Sequence, residues 1–539
     1  MSRFQICRFS TLVEEKKNPP LKSIPFLGFS MKRNWKPIPV PHRTVPEPKG
    51  QDLDFVNIAY SHLVHSDWEK LNSLTTHLTP FRVKHVLLKL QKDFVLSLEF
   101  FNWVQTHKPS SHTLETHSII LHILTKNRKF KSAESILKGI LDSGSIDLPS
   151  KLFDAVLYSY RVCDSSPRVF DSLFRTYAHM KKFRNATDVF CQMKDYGFFP
   201  IVESCNKYIS SLLDLNRIDI ALVFYKEMRR CRISPNVYTL NMVVCAFCKL
   251  GKLENAVQVF KEMECMGLSP TVASYNTLIA GHCNKGLLSL AMKLKSSMGK
   301  DGVQPNVITF NTLIYGFCKE GKFHEANRMF SEMKAMNVAP NIVTYNTLIN
   351  GFSQTGNCEM GGRLYEEMVR NGIKADILTY NALILGLCKQ GKTKKAAYLV
   401  KDLDKGNLVP NASTFSALIT GQCVRKNSEH AFQLYKTMVK SGCHPNKHTF
   451  EMLMSTFCEN EDFDGAINII QEMLERCMAP DTGILSEICS GLCRCGKDQL
   501  AMKLLNEMEI RRLLPEGFDK ARTINSKPKN YDKEVGDNP

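Results

Sequence analysis

The sequence predicts an all-α fold, an α-solenoid of helix-turn-helix repeats. The first observation is a period of 35 residues that runs ten times without a gap from Pro167 to Glu516. A fixed period of this length indicates a stacked array, because a single repeat cannot bury its apolar face alone. The second observation is that each period contains two segments whose apolar residues fall at helical spacing.

Three columns of residues fix the register of the repeats. Proline closes them at Pro200, Pro235, Pro270, Pro305, Pro340, Pro410, Pro445, Pro480 and Pro515, with Ala375 in its place once. A small residue recurs at Ala186, Ala221, Ala256, Ala291, Ala326, Ala396, Ala431, Ala466 and Ala501, with Gly361 once. Methionine recurs at Met193, Met228, Met263, Met298, Met333, Met368, Met438, Met473 and Met508, with Leu403 once. Small residues permit helices to cross closely and methionine fills the gap beside them, so we expect both columns in the core.

The repeat from Val237 to Thr271 shows how the sequence encodes a hairpin. Apolar residues at helical spacing predict a first helix over Thr239 to Leu250, which ends at a glycine. A second apolar face predicts a helix over Leu253 to Met266, ended by Gly267.

Glycine separates the two helices in most repeats, at Gly251, Gly286, Gly321, Gly356, Gly391 and Gly496. Lys426 and Glu461 occupy the same position in two late repeats. Because residues other than glycine adopt a positive φ reluctantly, we expect those two turns to form without one, or to be irregular.

The first fifty residues differ from the rest of the chain. Met1 to Thr11 carries Arg3 and Arg8 among apolar residues and no acidic residue, a pattern that predicts a transit peptide. The Pro-rich stretch from Pro19 to Pro48 predicts an unpacked linker. We therefore expect residues 1–50 to be a transit peptide and linker.

The remaining flanks predict helical caps and a tail. Residues 51–113 predict N-terminal capping helices, including an amphipathic pair over Thr79 to Trp103, because solenoids require capped ends. Residues 114–166 predict one degenerate repeat followed by an inserted helix around Leu152 to Val162. Residues 517–539, rich in Lys, Asp, Asn and Pro, predict a disordered tail.

Composition favours a polyanionic partner, and the cysteine and histidine spacing disfavours a metal site and catalysis. The formal net charge is +18, and no apolar run approaches the length of a membrane span. Of the 19 cysteines, seven share one position near the end of the first helix, where a small buried side chain fits: Cys248, Cys283, Cys318, Cys388, Cys423, Cys458 and Cys493. Their spacing lacks the second pair that a zinc site needs, so we expect no metal and no cofactor. No histidine is followed at His-x-Glu spacing by glutamate, so we expect no deaminase and no enzyme.

One segment carries a resemblance to a known family. Val343 to Gly351, reading Val-Thr-Tyr-Asn-Thr-Leu-Ile-Asn-Gly, with the closing Lys374-Ala375-Asp376, resembles pentatricopeptide repeats of the P subfamily from plant organelles. The Trp and Tyr signature of the related tetratricopeptide repeat is missing. The resemblance implies a right-handed superhelical solenoid that binds single-stranded organellar RNA as a monomer. It also implies import into an organelle, for which the N-terminal segment favours the mitochondrion over the chloroplast.

Two positions in each repeat carry polar residues that need a reason. The fifth residue is Asn206, Asn241, Asn276, Asn311, Asn346 and Asn381 in six successive repeats. The last residue of the same repeats is Asn236, Thr271, Asn306, Asn341, Asp376 and Asn411. Helix capping is one explanation for the asparagines at the fifth position. Residues two places before the fifth position also suit that role: Thr239, Ser274, Thr309, Thr344, Thr379 and Thr414. The resemblance implies the other explanation, in which both residues meet the edge of one RNA base.

Applied repeat by repeat, the resemblance implies a target containing 5′-C-Y-C-C-U-C-A-3′. It pairs cytosine with four sets of residues: Asn206 with Asn236, Asn276 with Asn306, Asn311 with Asn341, and Asn381 with Asn411. It pairs a pyrimidine with Asn241 and Thr271, and uracil with Asn346 and Asp376. Adenine is paired with Ser416 and Asn446, and guanine with Glu451 and Asp481. The combinations of Asp171 with Ile201 and of Ser486 with Glu516 fall outside this scheme.

The neighbouring residues would complete the contact with RNA. The resemblance places Tyr238, Ile308, Val343 and Leu378 between adjacent bases. Basic side chains at one register position would meet phosphates, or alternatively be ordinary solvated residues: Lys249, Lys319, Lys389 and Arg494. The expected function is organellar RNA stabilisation, processing, splicing or translation. The alternative is a protein-interaction scaffold, such as a component associated with an organellar ribosome, and protein partners in RNA processing are compatible with both.

Overall fold

The computed structural model describes residues 36–41, 44–142, 149–405, 407–515 and residue 518. Throughout this part of the chain the regular structure is helical, with two short 3-10 turns and no strand. The prediction of an all-α fold is therefore confirmed. The predicted transit peptide lies outside the described residues, as does the predicted tail except for Phe518.

The chain divides into two compact units, Met1–Gly281 and His282–Pro539. Among its described residues, the first unit has seven helices ahead of the repeats. They are Gln51–Val64, Trp68–Ser73, Pro80–Lys89, Phe94–His107, Leu114–Lys126, Phe130–Asp142 and Pro149–Ser159. The predicted degenerate repeat is thus a hairpin, and its Ala133 is fully buried as the register requires. The inserted helix begins and ends three residues earlier than its predicted range.

Ten helical hairpins follow, at the positions that the 35-residue period predicts. Their first helices are Arg168–His179, Val202–Asp214, Val237–Lys249, Val272–Asn284, Val307–Lys319, Ile342–Gln354, Ile377–Lys389, Ala412–Val424, Lys447–Glu459 and Thr482–Arg494. Their second helices are Phe183–Asp195, Ile218–Arg230, Leu253–Cys265, Leu288–Lys300, Phe323–Ala335, Cys358–Arg370, Thr393–Lys405, Ser428–Lys440, Phe463–Glu475 and Asp498–Ile510. Within each unit the first helices pack against the first helices of adjacent repeats. The handedness of the stack stays a prediction.

The columns of small residues and methionines form the core, as predicted. Every alanine of the small-residue column and every methionine of the methionine column is at most 1% exposed. Gly361 is buried at the position of the missing alanine, and Leu403 at that of the missing methionine. The period therefore marks the residues that two neighbouring helices share.

The repeated cysteine fills the space beside a glycine of the next repeat. A Cβ atom on Gly351 would lie 2.8 Å from the sulfur of Cys318, and one on Gly421 would lie 2.7 Å from the sulfur of Cys388. Burial raises the pKa of Cys318 to about 12 and that of Cys388 to about 11. Both thiols therefore stay protonated near neutral pH and act as small core side chains.

The turns at Lys426 and Glu461 contradict the expectation that they avoid a positive φ. Their φ angles are 55° and 59°, like those of the glycines at the equivalent position. The helix ends require this conformation, because Asn427 N donates to Gln422 O at 3.0 Å and closes the last turn. Those hydrogen bonds offset a steric cost of about 1–2 kcal/mol for a side chain in the left-handed region.

The described part of the Pro-rich segment is mostly exposed, but it contacts the helices at two points that the expectation of an unpacked linker does not include. Ile38 N donates to Asp195 O at 2.8 Å, at the end of a second helix. Val45 lines a small cavity together with Leu114 and Ile119. The segment contacts the helices through a backbone hydrogen bond of Ile38 and through the side chain of Val45.

Candidate nucleic-acid interface

The last residue of a repeat is the N-cap of the next first helix. Asn236, Asn306, Asn341, Asp376, Asn411, Asn446 and Asp481 all occupy this position with extended backbone. In Asp376, Oδ1 accepts from Thr379 N at 2.9 Å, and Thr379 Oγ1 accepts from Asp376 N at 3.2 Å. Asp376 is therefore the cap, and Thr379 is the third helical residue of a capping box. The expectation that the threonine itself caps the helix is wrong, and the fifth asparagine is not the cap either.

The fifth residue joins this cap through its carboxamide. Asn346 Nδ2 donates to Asp376 Oδ1 at 3.0 Å, and Thr379 Oγ1 donates to Asn346 Oδ1 at 2.6 Å. We call this arrangement the polar triad: the fifth and last residues of one repeat and the third residue of the next. It brings together two side chains that lie 30 residues apart in the chain.

The polar triad recurs in three other repeats. It joins Asn206, Asn236 and Thr239, then Asn311, Asn341 and Thr344, and finally Asn381, Asn411 and Thr414. The distance from the fifth Nδ2 to the last Oδ1 lies between 3.1 and 3.3 Å in these three. The threonine hydroxyl lies 2.6 to 2.7 Å from the fifth Oδ1. A partial version links Thr449 Oγ1 to Ser416 Oγ at 3.2 Å, with Asn446 as the cap.

The polar triad decides which atom of the last residue is left for a ligand. Its Oδ1 is taken by the helix N–H and by the fifth amide, so the remaining polar atom is Nδ2 in Asn411 and Oδ2 in Asp376. An amide nitrogen only donates and a carboxylate oxygen only accepts. Burial raises the pKa of Asp376, but hydrogen bonds from Thr379 and Asn346 outweigh it and hold that pKa below its ordinary value. Asp376 is therefore ionised near neutral pH.

The repeat that ends at Thr271 departs from this pattern. Thr271 Oγ1 and Ser274 Oγ lie 3.2 Å apart and hydrogen-bond each other. Asn241 Oδ1 is buried and has no hydrogen-bond partner in the described part of the chain. The carboxamide of Asn241 therefore lacks the bonds that hold its counterparts.

Two further repeats also differ. Glu451 forms an ion pair with Lys447 at 3.6 Å, while Asp481 caps its own helix through Gly483 N, so the described contacts do not join the two predicted guanine-reading residues. In the first repeat Ile201 provides no side-chain cap, and Asp171 accepts from Ile201 N and from Ser204 Oγ, each at 2.9 Å. Asn276 is buried in the first unit, and Asn306 is an exposed cap in the second.

A groove in the second unit collects many of the predicted site residues. They are Lys319, Val343, Asn346, Asp376, Leu378, Asn381, Lys389, Ser416 and Asn446. Val343 and Leu378 are more than half exposed, as are Ile308 in the same unit and Tyr238 in the first. Exposed apolar side chains beside polar triads give the groove alternating apolar and polar sites.

The lysines predicted to meet phosphates lie at helix ends. Lys319 Nζ donates to Asn284 O and Lys389 Nζ to Gln354 O, both at 2.9 Å, and Lys249 Nζ lies 3.5 Å from Leu213 O. Each contacts a carbonyl in the first helix of the preceding repeat. An ammonium carries three N–H donors, so these contacts position the charge and leave donors for an anion. Arg494 is exposed.

The sequence reasoning missed the threonines of the polar triad as part of the site. The available signal was Asn-x-x-Thr or Asp-x-x-Thr at successive repeat boundaries, as in Asn236 to Thr239 and Asp376 to Thr379. This spacing is typical of a capping box.

Comparison with known families decides the classification. The profile of the PPR repeat family matches residues 270–319, 305–354, 340–389, 375–424 and 416–459. Two further PPR repeat profiles match residues 232–264 and residues 168–198, 448–478 and 490–513, so that together they cover more than half of the chain. The chain belongs to the pentatricopeptide repeat family. All the matched segments lie within the repeat region, residues 167–516.

Other pentatricopeptide repeat proteins resemble parts of this chain. One from Arabidopsis thaliana, named as mitochondrial, is 73% identical over 198 residues, which are 37% of this chain and 38% of the relative. Another from Arabidopsis thaliana, also named as mitochondrial, is 31% identical over 196 residues, or 36% of this chain and 29% of the relative. The matched region thus spans about a third of the length of these relatives. Among solved structures, the maize pentatricopeptide repeat protein PPR10 in complex with an 18-nt psaJ RNA element matches at 17% identity with a TM-score of 0.44, covering 87% of this chain and 81% of that one.

Proposed function

We propose that this pentatricopeptide repeat protein binds single-stranded RNA in a sequence-specific manner, with one base for each repeat. The observation that carries the proposal is the polar triad. In the four repeats that form it completely, it holds two polar side chains beside an exposed apolar side chain and leaves one defined donor or acceptor on the last residue. Specific recognition of single-stranded RNA needs these parts: a surface against which a base stacks and polar atoms for its edge.

The polar triad supports the proposed base preferences atom by atom. The ring N3 of cytosine is an acceptor, and it suits the Nδ2 donor that Asn411 retains. The ring N3 of uracil carries a hydrogen, and it suits the ionised Oδ2 that Asp376 retains. The fifth asparagine keeps one amide hydrogen beyond the one it gives to the cap, and that hydrogen can meet a pyrimidine carbonyl. The resulting target is 5′-C-Y-C-C-U-C-A-3′, with guanine proposed for Glu451 and Asp481.

Charge and exposure support contact with the RNA backbone. The chain has a formal net charge of +18, which favours a polyanion. Lys319 and Lys389 line the same groove as Asn346 and Asp376, so a strand whose bases meet the polar triads would run past both ammonium groups.

The proposed setting is an organelle, with the mitochondrion favoured over the chloroplast. The two Arabidopsis relatives named above are mitochondrial by name. The Arg-bearing N-terminal segment agrees with import. No helix among the described residues is long and apolar enough to cross a bilayer. We propose a monomer of the P subfamily that acts in RNA stabilisation, processing, splicing or translation.

The test is RNA binding by the full chain, measured by fluorescence anisotropy on 5′-C-U-C-C-U-C-A-3′ and on a scrambled RNA of equal composition. Tighter binding to the first RNA is expected. If all of the roughly six phosphodiesters of this heptamer are engaged, log K against log salt should have a slope of roughly −4, since each contact on a single strand contributes about −0.7. Equal affinity for both RNAs, or affinity that does not change with salt, would contradict the proposal.

Lys319→Ala and Asn311→Ala separate affinity from specificity. Loss of the lysine should weaken binding to all RNAs alike, because a phosphate carries no sequence information. Loss of the asparagine should weaken discrimination at the fourth nucleotide. The reverse outcome would mean that the groove is assigned wrongly.

A further inference from the structure

We infer that a threonine at the third position of a first helix, where it closes a polar triad, determines specificity for the base read by the preceding repeat. This inference rests on the proposed RNA-binding function. Thr239, Thr344, Thr379 and Thr414 are at most 1% exposed, so they are positioning residues that act through the fifth asparagine. Thr379 would thus control the nucleotide opposite Asn346 and Asp376, although it lies in the next repeat.

The inference follows from the order in which the bonds fix one another. The amide hydrogen of Thr379 has a fixed direction because it belongs to the helix start. It holds Asp376 Oδ1 at 2.9 Å, and this oxygen in turn requires a donor, Nδ2, from Asn346 at 3.0 Å. The carboxamide of Asn346 then directs Oδ1 at the threonine hydroxyl, 2.6 Å away.

The threonine hydroxyl closes this ring of bonds. Its oxygen accepts from Asp376 N at 3.2 Å, and its single hydrogen points to the nearer oxygen, Asn346 Oδ1 at 2.6 Å rather than Asp376 Oδ1 at 3.0 Å. A carboxamide turned by 180° would place its oxygen against Asp376 Oδ1, which is a repulsive contact between two acceptors. It would also lose the short bond from the threonine hydroxyl, whose hydrogen would have to turn to Asp376 Oδ1 at 3.0 Å. Asp376 Oδ1 and the hydroxyl therefore favour the same orientation, in which the carboxamide presents an N–H to the base.

The repeat that ends at Thr271 shows the consequence of an incomplete ring. Its Ser274 hydroxyl pairs with Thr271, and the buried Asn241 Oδ1 has no hydrogen-bond partner in the described part of the chain. Nothing in the described contacts then fixes which end of the carboxamide faces the groove. This repeat should therefore discriminate poorly between the bases at the second nucleotide.

The first experiment compares Thr379→Val with Thr379→Ser and with the control Thr347→Val. Thr347 lies next to Asn346, but its hydroxyl donates to Val343 O at 2.7 Å and takes no part in the polar triad. Affinity is measured for 5′-C-U-C-C-U-C-A-3′ and for two RNAs with a single pyrimidine exchange, at the fifth or at the sixth nucleotide. Thr379→Val should lower the preference for uracil over cytosine at the fifth nucleotide about tenfold, the size of one hydrogen bond to a base edge.

The same variant should leave the preference at the sixth nucleotide unchanged, and Thr379→Ser should restore the preference at the fifth. An unchanged preference at the fifth nucleotide, or an equal loss with Thr347→Val, overturns the inference. A loss of affinity without a change in preference would mean that the threonine supports only the fold, and it also overturns the inference. Failure of the wild-type protein to discriminate these RNAs would instead contradict the proposed function.

The second experiment tests whether a substitution creates a base preference, so its result does not depend on a variant that weakens the fold. Thr271→Asn places at this boundary the residue that forms the polar triad in other repeats, and it removes the Thr271 hydroxyl, so that the Ser274 hydroxyl is free to donate to Asn241. The preference for cytosine over uracil at the second nucleotide should rise about fivefold or more, as for a newly formed contact to a base edge. An unchanged preference in a variant that still binds the target overturns the inference independently.

Discussion

Asn411→Asp should change the base preferred at the sixth nucleotide from cytosine to uracil. In the protein, Asn411 Oδ1 accepts from Ser413 N at 3.0 Å, Thr414 N at 3.2 Å and Asn381 Nδ2 at 3.1 Å. A carboxylate oxygen accepts the same three hydrogen bonds, so the substitution changes only the atom that faces away from the helix. That atom changes from an amide donor to an acceptor, as at Asp376.

The magnitude follows from the exchange of one matched contact for one mismatched contact. With cytosine, the variant places a carboxylate oxygen against a lone pair, whereas with uracil it accepts the ring N–H. A good contact to a base edge discriminates by about 1–3 kcal/mol, which is about 5-fold to 150-fold in affinity. Stability should change little, because aspartate and asparagine are equivalent N-caps and the helix dipole favours the charge by about 0.3–1 kcal/mol.

The assay compares two RNAs that differ only at the sixth nucleotide of the proposed target. Asn427→Asp is the matched control, because Asn427 caps a second helix by accepting from His430 N at 3.1 Å and does not line the groove. The control should keep the preference for cytosine. If Asn411→Asp also keeps that preference while its thermal stability is unchanged, the link between the retained polar atom and the base is wrong.

Three further predictions concern stability. Gly361→Ala should stabilise the protein by about 0.5–1 kcal/mol in thermal unfolding, since Gly361 is helical and an added Cβ would lie 3.7 Å from its nearest neighbours; a lower melting temperature would contradict this. Ala326→Glu should destabilise its surroundings by about 3 kcal/mol or more, because Ala326 is 0% exposed and the charge would be unpaired; unfolding that stays in one unchanged transition would contradict the stacked array. Burial raises the pKa of Asp171 from 3.8 to about 6 despite the bonds from Ile201 and Ser204, so its contribution to stability is present below pH 4 and lost as the pH rises through 6. The stability of the wild type relative to Asp171→Asn should therefore fall by about 2–3 kcal/mol between pH 4 and 7, at 1.36 kcal/mol for each pKa unit, and a constant difference would contradict it.

The core could be predicted from the sequence because each of its columns repeats the same residue type at the same interval. Ala326 and Met333 lie where neighbouring helices touch, and a stacked array repeats that contact in every period. The fifth and last residues could also be singled out, since asparagine is an uncommon choice at a repeated helical position. Their contact with each other could not, because residues 30 positions apart are brought together only by the packing of two hairpins.

Which donor or acceptor atoms the site offers to a ligand could not be predicted from the sequence, for a further physical reason. Asn346 and Asp376 offer several acceptors and donors, and residue types alone do not say which of them the fold uses. The capping box at Thr379 settles this, because the backbone N–H at a helix start needs an acceptor. Likewise, Lys426 gives no sign of a positive φ, and only the closing hydrogen bond of its helix imposes that conformation.

The polar triad has a consequence for how such proteins diversify by recombination. A gene segment copied from one repeat boundary to the next would carry Asn346 and Asp376 into a new context but leave Thr379 behind. A segment of the same length from Tyr345 to Thr379 contains all three residues. On the inference drawn above, the segment that carries the specificity of one repeat is offset from the structural hairpin by three residues. Crossovers just after this threonine would then transfer the complete set of three residues between genes or between designed proteins.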